Sequence, residues 1–432
     1  FLATWSAWRQ DPHRPQHLCY VALEKHPLTA DDVARVHGLV PGSLAPDSEA
    51  DHPLLAALLH KHWPPLTPGV HVLHFEGADN GLAAEDTGPD LPKARVTLML
   101  AWGDIADVLP QLMLQADAFY LDGFSPACNP DMWQPALLSR LNRLAAPQAT
   151  MATWTTARVM RDALAQAGFE VEQAKGFASK RDMCQGVYAP RYSAPGPAGG
   201  LRQPPGADDK TAIVIGAGLA GAATAYALCR EGWSVNLVDA SAGPARGASG
   251  NPGGLFHSIV HGEDGVHTRC HRASALATYA LLQHPARPWA PDLASTDGLL
   301  RLAPKQGDAE AQALLNKLGW PRNHLDWLDA SATSAEVGVP VRSGAWVFGQ
   351  AGMVNPAAWT AALIEAARRW AQAHGQRLQT TWGVRVTDLQ QDGQTWRVQA
   401  RSARADLGPD WRMHAGSVVL ANAHAANDLI QS

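Results

Sequence analysis

The stretch Thr211-Ala-Ile-Val-Ile-Gly216-Ala-Gly218-Leu-Ala-Gly221 decides the fold of the second half of this chain. An apolar strand that runs straight into Gly-x-Gly-x-x-Gly forms a tight turn. Its bare backbone can approach a pyrophosphate at the N-terminus of the following helix. A second apolar run, Ser234–Asp239, ends in an acid that can accept hydrogen bonds from ribose hydroxyls. Together these features predict a dinucleotide-binding domain of the α/β class.

The composition fits a large globular chain with no bulk affinity for nucleic acid. Of the 432 residues 46% are hydrophobic, which is enough for two or three cores, and the net charge is −5. The five cysteines form no Cys-x-x-Cys pair, which argues against a disulfide framework or a zinc knuckle and suits a reducing cytoplasm. The uncharged run Thr211–Cys229 contains several glycines, so it favours a buried nucleotide fold over a membrane span.

About 200 residues of a different α/β pattern precede this domain. Strands are predicted at 17–23, 69–75, 95–100, 116–121 and 150–154, a helix at 132–144 and another at 158–167, and a final β pair at 169–175 and 183–188. Alternating strands and helices predict a mainly parallel, doubly wound sheet. From Ala189 to Asp209 the composition shifts to proline and glycine. We therefore expect domains at 1–189 and 210–432, joined by a linker at 190–209.

Acidic residues stand at the tips of three strands in the first half, namely Glu24, Asp104 and Asp122. Ligands of open α/β sheets bind beyond the carboxyl ends of the strands. One acid can hold ribose hydroxyls, one can face an adenine amino group, and one can meet an amine. This layout is the one that S-adenosylmethionine (SAM) requires, although strand ends are also polar simply because they are loops.

The first half resembles the methyltransferase domain of the MnmC family of bifunctional tRNA 5-methylaminomethyl-2-thiouridine biosynthesis proteins. The resemblance rests on Asp117–Trp133, with its Asp122-Gly-Phe-Ser-Pro core, and on further matches in 23–29, 153–157 and 167–183. It implies that Glu24, Asp104, Asp122 and Phe124 bind SAM. It also implies that Asp122 orients the substrate amine and accepts its proton. Phe124 could equally be core packing.

The same resemblance implies that the family's glycine-rich donor loop would precede Phe1. We therefore expect a class I (Rossmann-like) methyltransferase sheet that is incomplete, and weak or no binding of SAM by this chain. Near the end of the first half lies a group of basic residues: Arg158, Arg161, Lys175, Lys180, Arg181 and Arg191. A solvated basic face explains this group, but within this family Lys180 and Arg181 become candidate tRNA phosphate contacts.

The second half resembles FAD-dependent oxidases of the D-amino-acid and glycine oxidase type. Besides the glycine fingerprint it contains the small-residue segment 246–254, the strand 382–388, the pre-helical segment 352–359 and a last strand at 417–423. These motifs favour FAD over NAD. The resemblance implies FAD contacts at Gly216, Ala217, Gly218, Gly221, Asp239, Gly247, Ala248, Ser249, Gly250, Asn251, Gly254, Val386 and Ala421. The family's remaining C-terminal part would follow Ser432, so this domain too is expected to be incomplete.

The order of the two halves matches the MnmC family. What this implies is FAD-dependent oxidation of the carboxymethylaminomethyl group on wobble uridine (U34) of tRNA, with release of glyoxylate. SAM-dependent methylation of the resulting amine would follow. An alternative is a small-molecule amine or amino-acid oxidase fused to a methyltransferase-like RNA-binding module. A further one is an RNA-binding module that has lost one or both activities.

Four histidines, His257, His261, His267 and His271, fall in one segment. No cysteine or acidic motif accompanies them at zinc-site spacing, so they are expected to be solvated or to neighbour the flavin. The expected partner is therefore the tRNA anticodon loop, with no metal and no membrane. The intact protein is expected to be a cytoplasmic monomer.

Overall fold

The computed structural model describes residues 1–40, 52–76, 95–123, 128–176, 181–191, 210–283, 293–402 and 410–430. The chain forms two compact units, Phe1–Gly200 and Leu201–Ser432. Most of the proposed linker, 192–209, lies outside the described residues. Within the described residues no helix combines the length and the apolar character that crossing a membrane requires.

The first unit contains seven strands and six α-helices among its described residues. The strands are β1 (His17–Glu24), β2 (Gly69–Glu76), β3 (Arg95–Trp102), β4 (Ala116–Tyr120), β5 (Ala145–Thr153), β6 (Phe169–Lys175) and β7 (Asp182–Tyr188). The helices are α1 (Leu2–Gln10), α2 (Ala30–Val36), α3 (His52–Lys61), α4 (Ile105–Val108), α5 (Pro135–Leu138) and α6 (Arg158–Gln166).

These strands form two sheets, in the orders β1-β3-β2 and β4-β5-β7-β6. β1 pairs parallel to β3, and β4 pairs parallel to β5. β2 runs antiparallel to β3, and β7 runs antiparallel to both of its neighbours. The expectation of a mainly parallel sheet is wrong for this unit, because β6 and β7 form a hairpin and β2 runs against the strand beside it.

Each sheet of the first unit has its own core. Trp5 and Trp8 of α1 pack on the first sheet, where the Trp5 ring lies 4.6 Å from the ring of Phe75. Met160 and Leu164 of α6, one helical turn apart, are buried against the second sheet. The helix expected at 132–144 is wrong as a single element. Short α5 is flanked there by 3-10 turns at Asp131–Trp133 and Ser139–Arg143, because leucines spaced by three or four residues bury equally well on tighter turns.

The second unit begins with the glycine-rich turn. Its strands are β8 (Thr211–Ile215), β9 (Ser234–Asp239), β10 (Gly254–Phe256), β11 (Ala294–Ser295), β12 (Leu299–Leu302), β13 (Leu325–Leu328), β14 (Ala345–Phe348), β15 (Gly352–Val354), β16 (Leu378–Trp382), β17 (Val384–Asp392), β18 (Thr395–Ser402), β19 (Asp410–Ala415) and β20 (Ser417–Leu420). Its helices are α7 (Leu219–Arg230), α8 (Val266–Gln283), α9 (Asp308–Leu318), α10 (Ala330–Val337), α11 (Pro356–Ala373) and α12 (Ala426–Ile430).

The nucleotide sheet of this unit has the order β16-β9-β8-β20, and all three of its pairings are parallel. Helices α7 and α11 cover one face, with Ala225 and Leu363 fully buried. The antiparallel sheet β17-β18-β19 packs on the other face, where Val398 meets Ile213 in one cluster. Two small antiparallel sheets, β10-β15-β11 and β12-β14-β13, complete the unit.

Candidate functional sites

The turn between β8 and α7 is built so tightly that only glycine fits at two of its positions. A Cβ on Gly216, whose φ is +106°, would lie 2.5 Å from the carbonyl oxygen of Ala421. A Cβ on Gly221 would lie 1.8 Å from the carbonyl oxygen of Gly216. The backbone of this turn is therefore bare, and α7 begins at its edge with Gly218 as the N-cap. Such a helix N-terminus binds phosphate through backbone N–H groups.

Asp239 holds the turn in place from the end of β9. Its Oδ2 accepts a hydrogen bond from the backbone N–H of Ala217 at 2.7 Å, and its Oδ1 accepts one from Ser241 N–H at 2.7 Å. The carboxylate thus bridges two loops at the carboxyl end of the sheet. Each oxygen keeps a further lone pair, so the group can still accept from a ribose hydroxyl.

Residues 247–254 of the small-residue segment lie against the same turn. Ser249 Oγ accepts a hydrogen bond from Leu219 N–H at 2.9 Å, which satisfies one of the unpaired donors at the start of α7. A Cβ on Gly218 would lie 3.1 Å from this hydroxyl, and a Cβ on Gly250 would lie 2.6 Å from the carbonyl oxygen of Ala245. Gly247, in contrast, has open space around its Cβ position, so packing does not require glycine there.

The sequence-predicted FAD residues are therefore brought together in part. Contacts join Gly216 to Ala421, Ala217 to Asp239, and Gly218 to Ser249. Ala248 and Gly250 belong to a 3-10 turn that Asn251 follows, and Gly254 begins β10. The side chain of Val386 lies in the core beneath the sheet, so only its backbone can face a cofactor.

Asn422 was missed by sequence reasoning. Its backbone nitrogen lies 2.8 Å from the Cβ position of Gly216. Its side-chain Oδ1 is shielded from solvent and has no hydrogen-bond partner among the described residues. A buried acceptor without a partner costs about 1–3 kcal/mol, so a donor on a bound molecule fits this position. Bare glycines, a helix N-terminus and an orphaned acceptor together suit a dinucleotide such as FAD. The sequence shows only that a strand ends there.

In the first unit, two of the three predicted acids lie side by side. Glu24 ends β1 and Asp104 follows β3, and the backbone N–H of Gly103 donates to the carbonyl oxygen of Glu24 at 3.0 Å. Glu24 Oε1 accepts from His26 N–H at 2.7 Å. Asp104 caps α4 through Ala106 N–H at 2.9 Å. Both carboxylates are thus fixed at the carboxyl ends of parallel strands.

Lys25, the residue after Glu24, forms an ion pair with Asp104. Its Nζ is 2.8 Å from Asp104 Oδ2. This hydrogen bond lowers the pKa of Asp104 and raises the pKa of Lys25. Both groups are exposed to solvent, so the pair contributes little to stability. A ligand amine or hydroxyl that reaches Asp104 would compete with Lys25.

Asp122, the third acid, follows β4 on the other sheet, and β1 and β4 share no ladder. Burial raises the pKa of Tyr20 on β1, and the charges of Tyr120 and Asp122 raise it further. The ring of Tyr20 lies 6.1 Å from that of Tyr120. Asp122 is therefore close to β1, although the structure does not place it on the sheet of the other two acids.

The tip beside Asp122 is held by a residue of the 153–157 segment, to which the sequence analysis assigned no role. Trp154 Nε1 donates to the carbonyl oxygen of Gly123 at 3.0 Å, and a Cβ on Gly123 would lie 2.4 Å from Met132 Sδ. The indole clamps the backbone next to the acid. Phe124 and Lys180 lie outside the described residues. The side chain of Arg181 is 96% exposed, and its Nε is 3.8 Å from Asp182 Oδ2.

The four histidines do not form one site. The ring of His257 lies 4.8 Å from Phe348, and His261 Nδ1 accepts from Glu263 N–H at 3.1 Å. His267 and His271 lie close to each other on α8. The part of the chain that the structure describes contains no group of three or more possible metal ligands.

Models of known protein families match both halves of the chain. Residues 57–189 match the model of a family of S-adenosyl-L-methionine-dependent methyltransferases. Residues 211–432 match the model of the FAD dependent oxidoreductase family.

Curated relatives contain both halves in the same order. The chain is 40% identical to the tRNA 5-methylaminomethyl-2-thiouridine biosynthesis bifunctional protein MnmC of Methylibium petroleiphilum, over 100% of this chain and 60% of that protein. It is 40% identical to MnmC of an Azoarcus species, over 94% of this chain and 58% of that protein. The chain thus spans about 60% of the length of the curated relatives it matches.

Among solved structures, glycine oxidase from Bacillus cereus is 18% identical, covers 51% of this chain and 57% of its own, and has a TM-score of 0.40, too low to support an inference. The chain belongs to the FAD-dependent oxidoreductase family, and it carries that domain behind a SAM-dependent methyltransferase domain, as do the bifunctional MnmC proteins that it resembles.

Proposed function

We propose that the protein containing this chain modifies wobble uridine (U34) of tRNA in two steps. The FAD-dependent half removes the carboxymethyl group from 5-carboxymethylaminomethyl-(2-thio)uridine and leaves 5-aminomethyl-(2-thio)uridine. The SAM-dependent half then methylates that amine to give 5-methylaminomethyl-(2-thio)uridine. We assign these steps to domains at 210–432 and 1–189, with 190–209 as linker, in a cytoplasmic monomer. The observation that carries the proposal is the 40% identity to MnmC along the whole chain, with both family matches in the same order.

In the oxidase half, this chain's residues bind and orient the cofactor. The N–H groups at the start of α7 would hold the pyrophosphate, and Asp239 would accept from the adenosine ribose. The 247–254 segment would face the flavin, with the backbones of Val386 and Ala421 at its other side. When bound, flavin supplies a two-electron oxidation of the C–N bond next to the substrate carboxylate, after which water releases glyoxylate.

In the methyltransferase half, each acid has a separate task. Glu24 would hold the ribose hydroxyls of SAM, and Asp104 would accept from the adenine amino group. Asp122 would orient the uridine amine and take its proton, because only a neutral amine attacks the sulfonium methyl group. Trp154 supports this role by holding the backbone beside Asp122. Lys180 and Arg181 are the proposed contacts to tRNA phosphates, and Phe124 the proposed wall of the pocket.

The test uses tRNA from cells that lack the full-length gene. The purified intact protein should release glyoxylate from this tRNA but not from free glycine or sarcosine. Nucleoside mass spectrometry should show the methylaminomethyl nucleoside only when SAM is added. An Asp122→Asn variant should stop at the aminomethyl nucleoside. Glyoxylate from glycine or sarcosine alone would instead support the small-molecule oxidase, and unchanged tRNA would contradict the proposal.

A further inference from the structure

The first two turns of α8 present a pair of imidazoles to solvent. His267 and His271 are four residues apart, so they lie one above the other on the same side of the helix. Their ring centroids are 4.5 Å apart, with an angle of 66° between the ring planes. Both residues are exposed, so the rings are free to turn toward a common ligand.

We propose that His267 and His271 form a two-imidazole chelate for a divalent late transition-metal ion, with Cu²⁺ bound more tightly than Ni²⁺ or Zn²⁺. Neutral imidazole is a good ligand for these ions, and it binds them at about 2.0–2.1 Å. Because the helix fixes both side chains one turn apart, binding of the first ring holds the metal next to the second. The preference for Cu²⁺ follows the general order of affinities for nitrogen sites.

Of the neighbouring groups that could add a ligand, two already make hydrogen bonds, and the third is the exposed thiol of Cys270. The Nδ1 atom of His261 is taken by the backbone N–H of Glu263. The carboxylate of Asp264 is held by two guanidinium groups, those of Arg272 at 2.7 Å and Arg269 at 3.1 Å. When that thiol is absent, as in a Cys270→Ser chain, water completes the coordination shell and the ion exchanges with solvent.

This inference differs from the metal centre that the sequence argued against. A closed structural zinc site needs four protein ligands, and the described residues contain no group of even three. The chelate proposed here is open and on the surface. It is also independent of the proposed two-step function, so either can fail without the other.

The test is calorimetric titration of the chain with NiCl₂ and CuCl₂. Every protein in the series carries Cys270→Ser, because the exposed thiol of Cys270 between the two histidines would bind or reduce copper. His267→Ala and His271→Ala should each weaken binding by about tenfold or more, since the second ligand acts at a high effective concentration. His261→Ala is the matched control and should leave the affinity unchanged.

A second readout comes from stability. Ni²⁺ in excess should raise the thermal midpoint of the parent protein, and this rise should disappear in both single variants but persist in His261→Ala. The proposal is overturned if the parent takes up neither ion. It is also overturned if His267→Ala and His271→Ala bind as tightly as the parent, or if His261→Ala loses as much affinity as they do.

Discussion

The two proposed nucleoside sites both lie at the carboxyl ends of parallel strands, but they are built from different parts of the chain. In the second unit the site is mostly backbone, because glycines at 216 and 221 allow strand, helix and loop to touch. In the first unit it is made of side chains, with Glu24 and Asp104 each already engaged by a local partner. Residues 1–200 contain no Gly-x-Gly-x-x-Gly turn. A backbone site is rigid and intolerant of added atoms, whereas a side-chain site can be altered with little damage to the fold.

Gly221→Ala is expected to have the largest effect, and it tests whether the backbone site of the second unit tolerates an added methyl group. The new methyl group would lie 1.8 Å from Gly216 O, so α7 must move away from the turn. We expect the second unit to lose about 3 kcal/mol of stability, as for a severely overpacked core, and to take up no FAD. Flavin fluorescence and chemical unfolding measure the two effects. Gly262→Ala is the control, because its Cβ would meet only an ordinary contact at 3.7 Å; equal damage there would contradict the steric argument.

Replacing one acid in each unit compares the two kinds of site directly. Asp239→Ala leaves the buried N–H of Ala217 without a partner, which should cost about 2 kcal/mol and weaken FAD binding at least about tenfold. Asp104→Asn removes only an exposed pair and should change stability by less than about 1 kcal/mol. Urea unfolding of both variants provides the measurement. A larger loss in Asp104→Asn would reverse the comparison.

Acid is expected to act on the second unit through His324. Burial lowers the pKa of this side chain, against a hydrogen bond with Gln350 that raises it, and the charge of Arg272 lowers it further. His324 is 1% exposed, and its Nε2 has no partner among the described residues. The unfolded chain binds a proton at this histidine more readily than the folded chain does. The free energy of unfolding therefore keeps its full value above about pH 6.5, where His324 is neutral in both states, and falls as the pH drops below it.

The measurement is the thermal midpoint of the chain between pH 7.5 and 5. His324→Gln should flatten the decline below about pH 6.5. His374→Gln is the control, because His374 stacks on Trp370 near the end of α11 and has no contact with His324. A decline that keeps its slope in His324→Gln would refute the assignment.

The smallest expected change in stability comes from Ala423→Gly, just after the residues that pack against Gly216. Ala423 adopts a φ of +51°, which costs a residue with a Cβ about 1–2 kcal/mol. After allowing for the greater entropy of unfolded glycine, Ala423→Gly should stabilise the second unit by about 0.5 kcal/mol. Ala425→Gly, at the other end of the same 3-10 turn and without a positive φ, should destabilise it. Equal signs in unfolding measurements of the two variants would contradict this account.

The sequence predicts local features of the fold well where one residue type has one physical use. The bounds of β9 are predicted to the residue, because apolar runs end in turn residues there. Strand direction in the first unit was not predictable, because an apolar run looks the same in either direction. The leucines at 137, 138, 141 and 144 gave the wrong helix, because their spacing serves α and 3-10 turns alike.

The candidate sites likewise contain some residues that the sequence predicts and others that it does not. Glycines and strand-tip acids are visible in the sequence, because their chemistry requires those residue types. The clamp from Trp154 to Gly123 and the isolation of Asn422 Oδ1 are not visible, because each depends on segments that only folding brings together. A tryptophan or an asparagine can serve many structural purposes, so neither stands out without its surroundings.

One strand pairing in the nucleotide sheet determines when the second unit can complete its folding during translation. β20 completes the sheet by lying against β8, with Ser417 opposite Ala212. β16 adds to the other side of the β8–β9 pair, with Leu378 opposite Val235. The β9 edge of this pair therefore stays unpaired until β16 is translated, and the β8 edge until β20 is translated. Unpaired edges invite wrong pairing. Leu420 must be synthesised before β20 can pair with β8 beside the glycine-rich turn. A chaperone that shields nascent strands should therefore raise the yield of folded protein.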